Sequence, residues 1–180
     1  MRNGMPHSND VSEPRGGTVE QDLVSIGRTA FLAGDVERAK RLADEAISND
    51  PLRQDAWILK GRALVCRLDP TGAKKCYQQA LDIDDKNHEA WRRKGFAHRV
   101  DGELTDAIAC WKRSLEVGPE DNRTLSDIAN AMDDLGRFDS AIEYYERVLE
   151  VNPDDAYARE NIRLNQRIIT RLMQQRAGSE

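Results

Sequence analysis

Three cysteines, Cys66, Cys76 and Cys110, and three histidines, His7, His88 and His98, are the side chains best suited to metal binding or nucleophilic chemistry. The cysteines are odd in number, and no pair has the spacing of a zinc site. A histidine-centred catalytic arrangement needs a nucleophile and an orienting carboxylate within reach, and no spacing here suggests one. His98 reads instead as a satisfied core histidine. No glycine-rich phosphate loop occurs. The reading is therefore no enzyme, no metal and no cofactor. Arginine and carboxylate chemistry remains, but the net charge of -5 and pI near 5.3 provide no global basic field, which argues against nucleic acid.

The elements that position these side chains are organised around residues 88–121. Trp91, Gly95, Gly102, Ala107, Trp111 and Pro119 fall at offsets that recur: a step of 34 residues back from Trp91 reaches Trp57 and then Leu23, and a step forward reaches Leu125. A fixed period of this size marks a solenoid of stacked helical hairpins. It runs without insertion through 20–53, 54–87, 88–121 and 122–155. One column reads Gly27, Gly61, Gly95, Ala129, and another Ala39, Ala73, Ala107, Ala141. Four residues on come Ala43, Tyr77, Trp111 and Tyr145, so small and large side chains alternate as two interlocking helices require. Trp57 and Trp91 are expected in the core, where truncation to alanine would cost roughly 3–5 kcal/mol. Cys76 and Cys110 share a column with Leu42 and Tyr144, ordinary semi-buried packing. Gly34, Gly102 and Gly136 end the first helices with left-handed caps; Leu68 takes that column in the second unit, before Asp69 as N-cap and Pro70 in the first turn.

Residues 1–17 are rich in Pro, Gly, Ser and Asn and poor in apolar side chains, so a disordered tail is expected, with Thr18 and Gln21 as a capping box at the first helix. No stretch resembles a signal peptide or reaches the roughly 20 apolar residues of a membrane span, and a cytoplasmic location follows as an expectation. After Pro153 a helix is expected over 156–176, with residues 177–180 disordered. Its stripe Ala158, Ile162, Asn165, Ile169, Leu172 would cover the last hairpin. A second apolar set, Tyr157, Leu164, Ile168 and Met173, is surplus to that role and suggests a self-association or partner surface.

The pattern of Trp and Gly in the first helix, then Ala, a large residue and Ala in the second, with Pro closing the unit, resembles the tetratricopeptide repeat (TPR) family over residues 20–155. The resemblance implies an all-α, right-handed α-solenoid of antiparallel helix pairs: four repeats and a C-terminal capping helix. It also implies a concave groove, lined by the first helices, that takes a peptide or protein segment. Carried onto this chain, the groove residues are Val24, Arg28, Phe31, Ile58, Arg62, Val65, Arg92, Arg93, Phe96, Arg99 and Asn130. Arginines among apolar side chains suit a segment with carboxylates and apolar anchors. The two-carboxylate clamp that some family members use for chaperone tails is not matched: Val24, Arg28 and Leu59 occupy its positions, and only Arg93 fits. The expected function is a non-enzymatic interaction scaffold or adaptor. The alternative is a homo-oligomer formed through the C-terminal helix.

Overall fold

The computed structural model describes residues 22–177. Nine helices and no strands lie in this span: α1 Leu23–Leu32, α2 Val36–Asn49, α3 Gln54–Cys66, α4 Pro70–Ile83, α5 His88–Val100, α6 Leu104–Val117, α7 Asn122–Asp134, α8 Phe138–Val151 and α9 Ala156–Ala177. Each helix packs mainly on its neighbours in sequence, so the chain is a one-dimensional array of four hairpins closed by α9. The proposed N-terminal tail, the capping box at Thr18 and Gln21, and residues 178–180 lie outside the described residues.

Local chemistry accounts for the helix boundaries. Asp22 caps α1 by accepting from the Val24 amide at 3.3 Å, and Asp35, Asp69, Asn87 and Asp121 do the same for α2, α4, α5 and α7. The hairpin turns need a left-handed residue. Gly34, Gly102 and Gly136 supply it at φ of 84°, 80° and 70°, and Leu68 is held there at 59°. That is a strained conformation for a side chain with a Cβ.

Packing within a hairpin rests on a glycine facing a ring. A Cβ on Gly61 would stand 2.5 Å from the Tyr77 ring, and one on Gly95 would stand 2.6 Å from the Trp111 indole. Both rings are buried, and the Trp111 Nε1 donates to the Arg92 carbonyl at 3.1 Å. The first hairpin solves the same problem differently. Ala43 leaves space where the ring would be, and Leu59 of α3 fills it from the following hairpin, 2.6 Å from where a Gly27 Cβ would lie.

Two expectations about packing are corrected. Trp57 and Trp91 are only half-buried, at the edge of the clusters formed by α3, α4 and α5. Each indole donates to the carbonyl six residues back, Trp57 to Pro51 at 2.9 Å and Trp91 to Asp85 at 2.8 Å, and so ties down the linker. Leu172 of the expected buried stripe is 44 % exposed. It borders a hollow of about 280 Å3 beside the start of α8, formed with Phe138, Ile169 and Met173. Ala158 and Asn165 are buried as expected, with Asn165 donating to Asp133 at 2.5 Å.

Trp111→Ala is expected to cost about 3–5 kcal/mol in urea melts, by cavity formation in the core. Trp57→Ala and Trp91→Ala should cost markedly less. Equal losses at all three positions would mean that the two linker indoles are fully desolvated.

Candidate functional site

The first helices α1, α3 and α5 lie side by side, and their shared face carries most of the expected groove residues. Phe31, Arg62, Val65, Arg93 and Phe96 are brought together around a small hollow of about 90 Å3, completed by Tyr77 and Cys66. The 34-residue period places them: Phe31 and Val65 share one column, Arg62 and Phe96 another, so a residue of one hairpin meets a diagonal neighbour in the next.

Charge around this hollow is unevenly compensated. Arg28 pairs with Asp55 at 3.5 Å. Arg92 and Arg93 both pair with Glu89, each at 2.6 Å. Arg99 reaches Asp127 at 4.0 Å and lies over the Phe96 ring, 5.0 Å from its centre. Arg62 differs from all of them. Its guanidinium stacks on Phe31 at 4.2 Å, its Nε is buried with no hydrogen-bond partner, and no ion pair reaches it among the described residues. Burial, followed by the nearby Arg93 charge, lowers the Arg62 pKa below the ordinary guanidinium range.

The acidic residues respond to the same environment. Burial alone would raise the Glu89 carboxyl, but Arg93 and Arg92 outweigh it and hold the group below the usual glutamate range. Burial raises Asp127 despite Arg99, and it raises Asp133 although Tyr145 and Asn165 donate to that carboxylate.

Other expected groove residues are placed differently. Val24 is a correction: it is fully buried, within the cluster that includes Ala43, Ala46, Ala56 and Leu59. Its column is half-buried in the later hairpins, at Ile58, Arg92 and Ser126, whereas in the first it lies wholly within the alanine-rich cluster. Ile58 is half-buried against the core. Asn130 is engaged, its Oδ1 accepting from Tyr145 at 2.7 Å and Tyr157 at 2.8 Å. Tyr77 and Cys66 border the hollow without having been expected there. Glu89, three and four residues before Arg92 and Arg93, was the available signal for that charge pairing, whereas Asp55 lies 27 residues from Arg28 and gave none.

His98 is satisfied, as the sequence suggested, but at a turn. Its Nδ1 lies 2.6 Å from the Glu103 Oε2, and Lys74 donates to the same oxygen at 2.6 Å and to Asp101 at 2.5 Å. His98, Glu103 and Asp106 could converge their ligand atoms within 4.8 Å. The Lys74 ammonium already neutralises that carboxylate, and a dication there would have to displace it. Cys76 and Cys110 are buried, and burial raises the Cys76 thiol to about 11, so its thiolate is disfavoured.

Tetratricopeptide repeat family models match residues 24–67 and 87–154. The chain belongs to the tetratricopeptide repeat family. No curated protein matches it in sequence. Among solved structures it is similar to MamA, with a TM-score of 0.72, 23% identity, and coverage of 78% of this chain and 82% of that one. It is also similar to YrrB, described as a TPR protein with an unusual peptide-binding site, with a TM-score of 0.70, 19% identity, and coverage of 82% and 76%. A thermophilic TPR protein of Thermus thermophilus matches with a TM-score of 0.68, 19% identity, and coverage of 80% and 79%. At these identities the likeness concerns the fold. The family is one of protein-interaction scaffolds. Among the described residues no helix is long and apolar enough to cross a membrane.

The depressed Glu89 value fixes the sign of a pH effect. A carboxyl whose folded-state pKa lies below its unfolded one stabilises the fold above the ordinary value of about 4.3 and loses that contribution as the pH falls. Glu89→Gln should therefore lower the urea midpoint at pH 7, with the gap to wild type closing only below the usual glutamate range. A gap independent of pH would show that Glu89 acts by packing alone.

Proposed function

We propose that the protein is a non-enzymatic scaffold whose first-helix face takes an extended protein segment, with a carboxylate of that segment set on Arg62. The unpaired, half-buried guanidinium of Arg62 carries this reading. A polar group sheltered from water without a partner is costly, and a bidentate carboxylate would satisfy it. Phe31, Val65 and Phe96 around it offer apolar contact for the residues flanking that carboxylate, and Arg28, Arg92, Arg93 and Arg99 bias the approach toward acidic segments. The similarity to YrrB supports a peptide ligand only by analogy of fold. The three unpaired thiols suit a reducing compartment and hence the cytoplasm.

Selection from a library of displayed peptides tests this directly. Ligands should carry Asp, Glu or a terminal carboxylate beside a large apolar residue. Arg62→Glu should weaken them roughly 10- to 100-fold, the range for loss of a charge-assisted hydrogen bond, while leaving helicity intact. Ligands without a carboxylate, or affinities unchanged by the reversal, would sink the reading.

A second reading, self-pairing through α9, has the exposure of its surplus apolar set in its favour. Leu164 is 45 % and Met173 65 % exposed. Leu164 stands in the same column as Arg62 and Phe96, so it extends the first-helix face; Leu172 and Met173 are left for pairing. Apolar pairing strengthens or holds as salt is added. A monomer at high concentration in light scattering, in both low and high salt, would remove it.

A further inference from the structure

The last hairpin and the terminal helix carry two charged rows that the groove does not use and of which Arg159 alone ties down a linker, donating to the Pro153 carbonyl. On α9, Arg159, Arg163, Arg167 and Arg171 recur every four residues along the exposed side opposite buried Ala158 and Asn165. The row spans about 18 Å at 1.5 Å per residue. In the hairpins, the first of these columns holds Trp57, Trp91 and Leu125, and the second holds Gly27, Gly61, Gly95 and Ala129, where the second helix approaches. Arg163, in the glycine column, prevents that close approach, so no further helix packs there in the manner of a hairpin. Helix α9 has five arginines against one glutamate in a chain of net charge -5. Neighbouring arginines four apart repel. Glu160 is the one carboxylate within the row, 3.0 Å from Arg167 and 3.7 Å from Arg163, and Arg159 reaches Asp154 at 3.4 Å.

On α8, Asp139, Glu143, Glu146 and Glu150 line one exposed face at helical spacing, over about the same length. None forms an ion pair among the described residues. Their columns are mixed in the earlier hairpins: Arg41, Lys75 and Ala109 precede Glu143, and Asp44, Gln78 and Lys112 precede Glu146. Only the hairpin beside α9 is uniformly acidic here. Within one copy no ion pair among the described residues joins the two rows.

We propose that the α9 arginine row of one copy docks on the α8 carboxylate row of another. The two rows are opposite in sign and nearly equal in length, stepping by four residues on α9 and by four, three and four on α8, and guanidinium–carboxylate pairs favour a planar fork over a point contact. Rows of side chains four apart are also the ridges by which two helices interlock. The contact joins different surfaces of the two copies, so it is heterologous and builds rings or open chains rather than a closed two-fold pair. A long polyanion is a poorer occupant than a second copy, because it would run from the arginines onto the acidic fourth hairpin. Exposed ion pairs are individually weak, so the association is concentration-dependent and screened by salt. This inference is independent of the groove and of apolar pairing through α9.

Sedimentation of the full chain tests it, at about 10 mM salt, where the Debye length is about 30 Å, and at about 1 M, where it is about 3 Å. The mass should rise with concentration in low salt and return to 20.4 kDa in high salt. Arg163→Glu/Arg167→Glu and Glu143→Arg/Glu146→Arg should each be monomeric when alone, with unchanged circular dichroism. Mixed together they should associate again, since each then offers the other an opposite row, while Arg62→Glu should behave as wild type. A wild type that stays at monomer mass in low salt overturns the proposal, as does association that survives either reversal or grows with salt. A mixture that fails to recover overturns the pairing of these two rows. Capture of heparin by the arginine row of a monomeric wild type would assign the row to another polyanion and equally overturn it.

Discussion

The close approach of two helices at a glycine is the constraint on which the rest of the structure depends. Where Gly61 meets Tyr77 and Gly95 meets Trp111, a single added methyl would collide with a buried ring that has no room to move. That contact sets the distance within a hairpin, and the hairpin distance sets where the following first helix lies. The first-helix face that gathers Phe31, Arg62 and Phe96 is a consequence of this spacing repeated along the chain. The variation in the first hairpin obeys the same rule, since Ala43 admits Leu59 from the neighbouring unit and couples the two more tightly.

Electrostatics then distinguishes parts of an otherwise regular array. In the middle of the first-helix face, arginines outnumber the carboxylates that reach them among the described residues, and Arg62 is left there on Phe31 without an ion pair. Toward the end of the array the balance reverses: burial raises Asp127 and Asp133 in pKa, and α8 presents an acidic row that forms no ion pair among the described residues. The terminal helix reverses it again with an arginine row. The chain thus presents separate charged surfaces with different chemistry, which a net charge of -5 averages away.

Polar contacts between hairpins are concentrated where the chain has to turn. The Trp57 and Trp91 indoles tie down linkers, and Lys74 bridges from the second hairpin to the Asp101–Glu103 turn of the third, where Glu103 also holds His98. Gln54 donates to the Ala80 carbonyl of its own hairpin at 2.8 Å while accepting from Asn87, the cap of α5 in the next, at 2.5 Å. Neighbouring units are held in register by such bonds as well as by apolar contact, which suits an array whose stability is distributed along its length.

The sequence by itself determined the class of fold, the hairpin turns at Gly34, Leu68, Gly102 and Gly136, and the small-against-large columns, because each of these is a local or periodic requirement. It also indicated which arginines share a face, since helical spacing and a constant period suffice for that. The tertiary structure decided which members of a column are accessible and which charges are compensated. Val24 is fully buried although the rest of its column is half-buried, the Trp57 and Trp91 indoles reach back over the linkers, and among the described residues Arg62 lacks the ion-pair partner that Arg92 and Arg93 find in Glu89. The physical reason is common to all three. A column records what is equivalent along one chain, whereas burial and charge pairing depend on side chains brought in from neighbouring units, whose sizes and signs differ at every step.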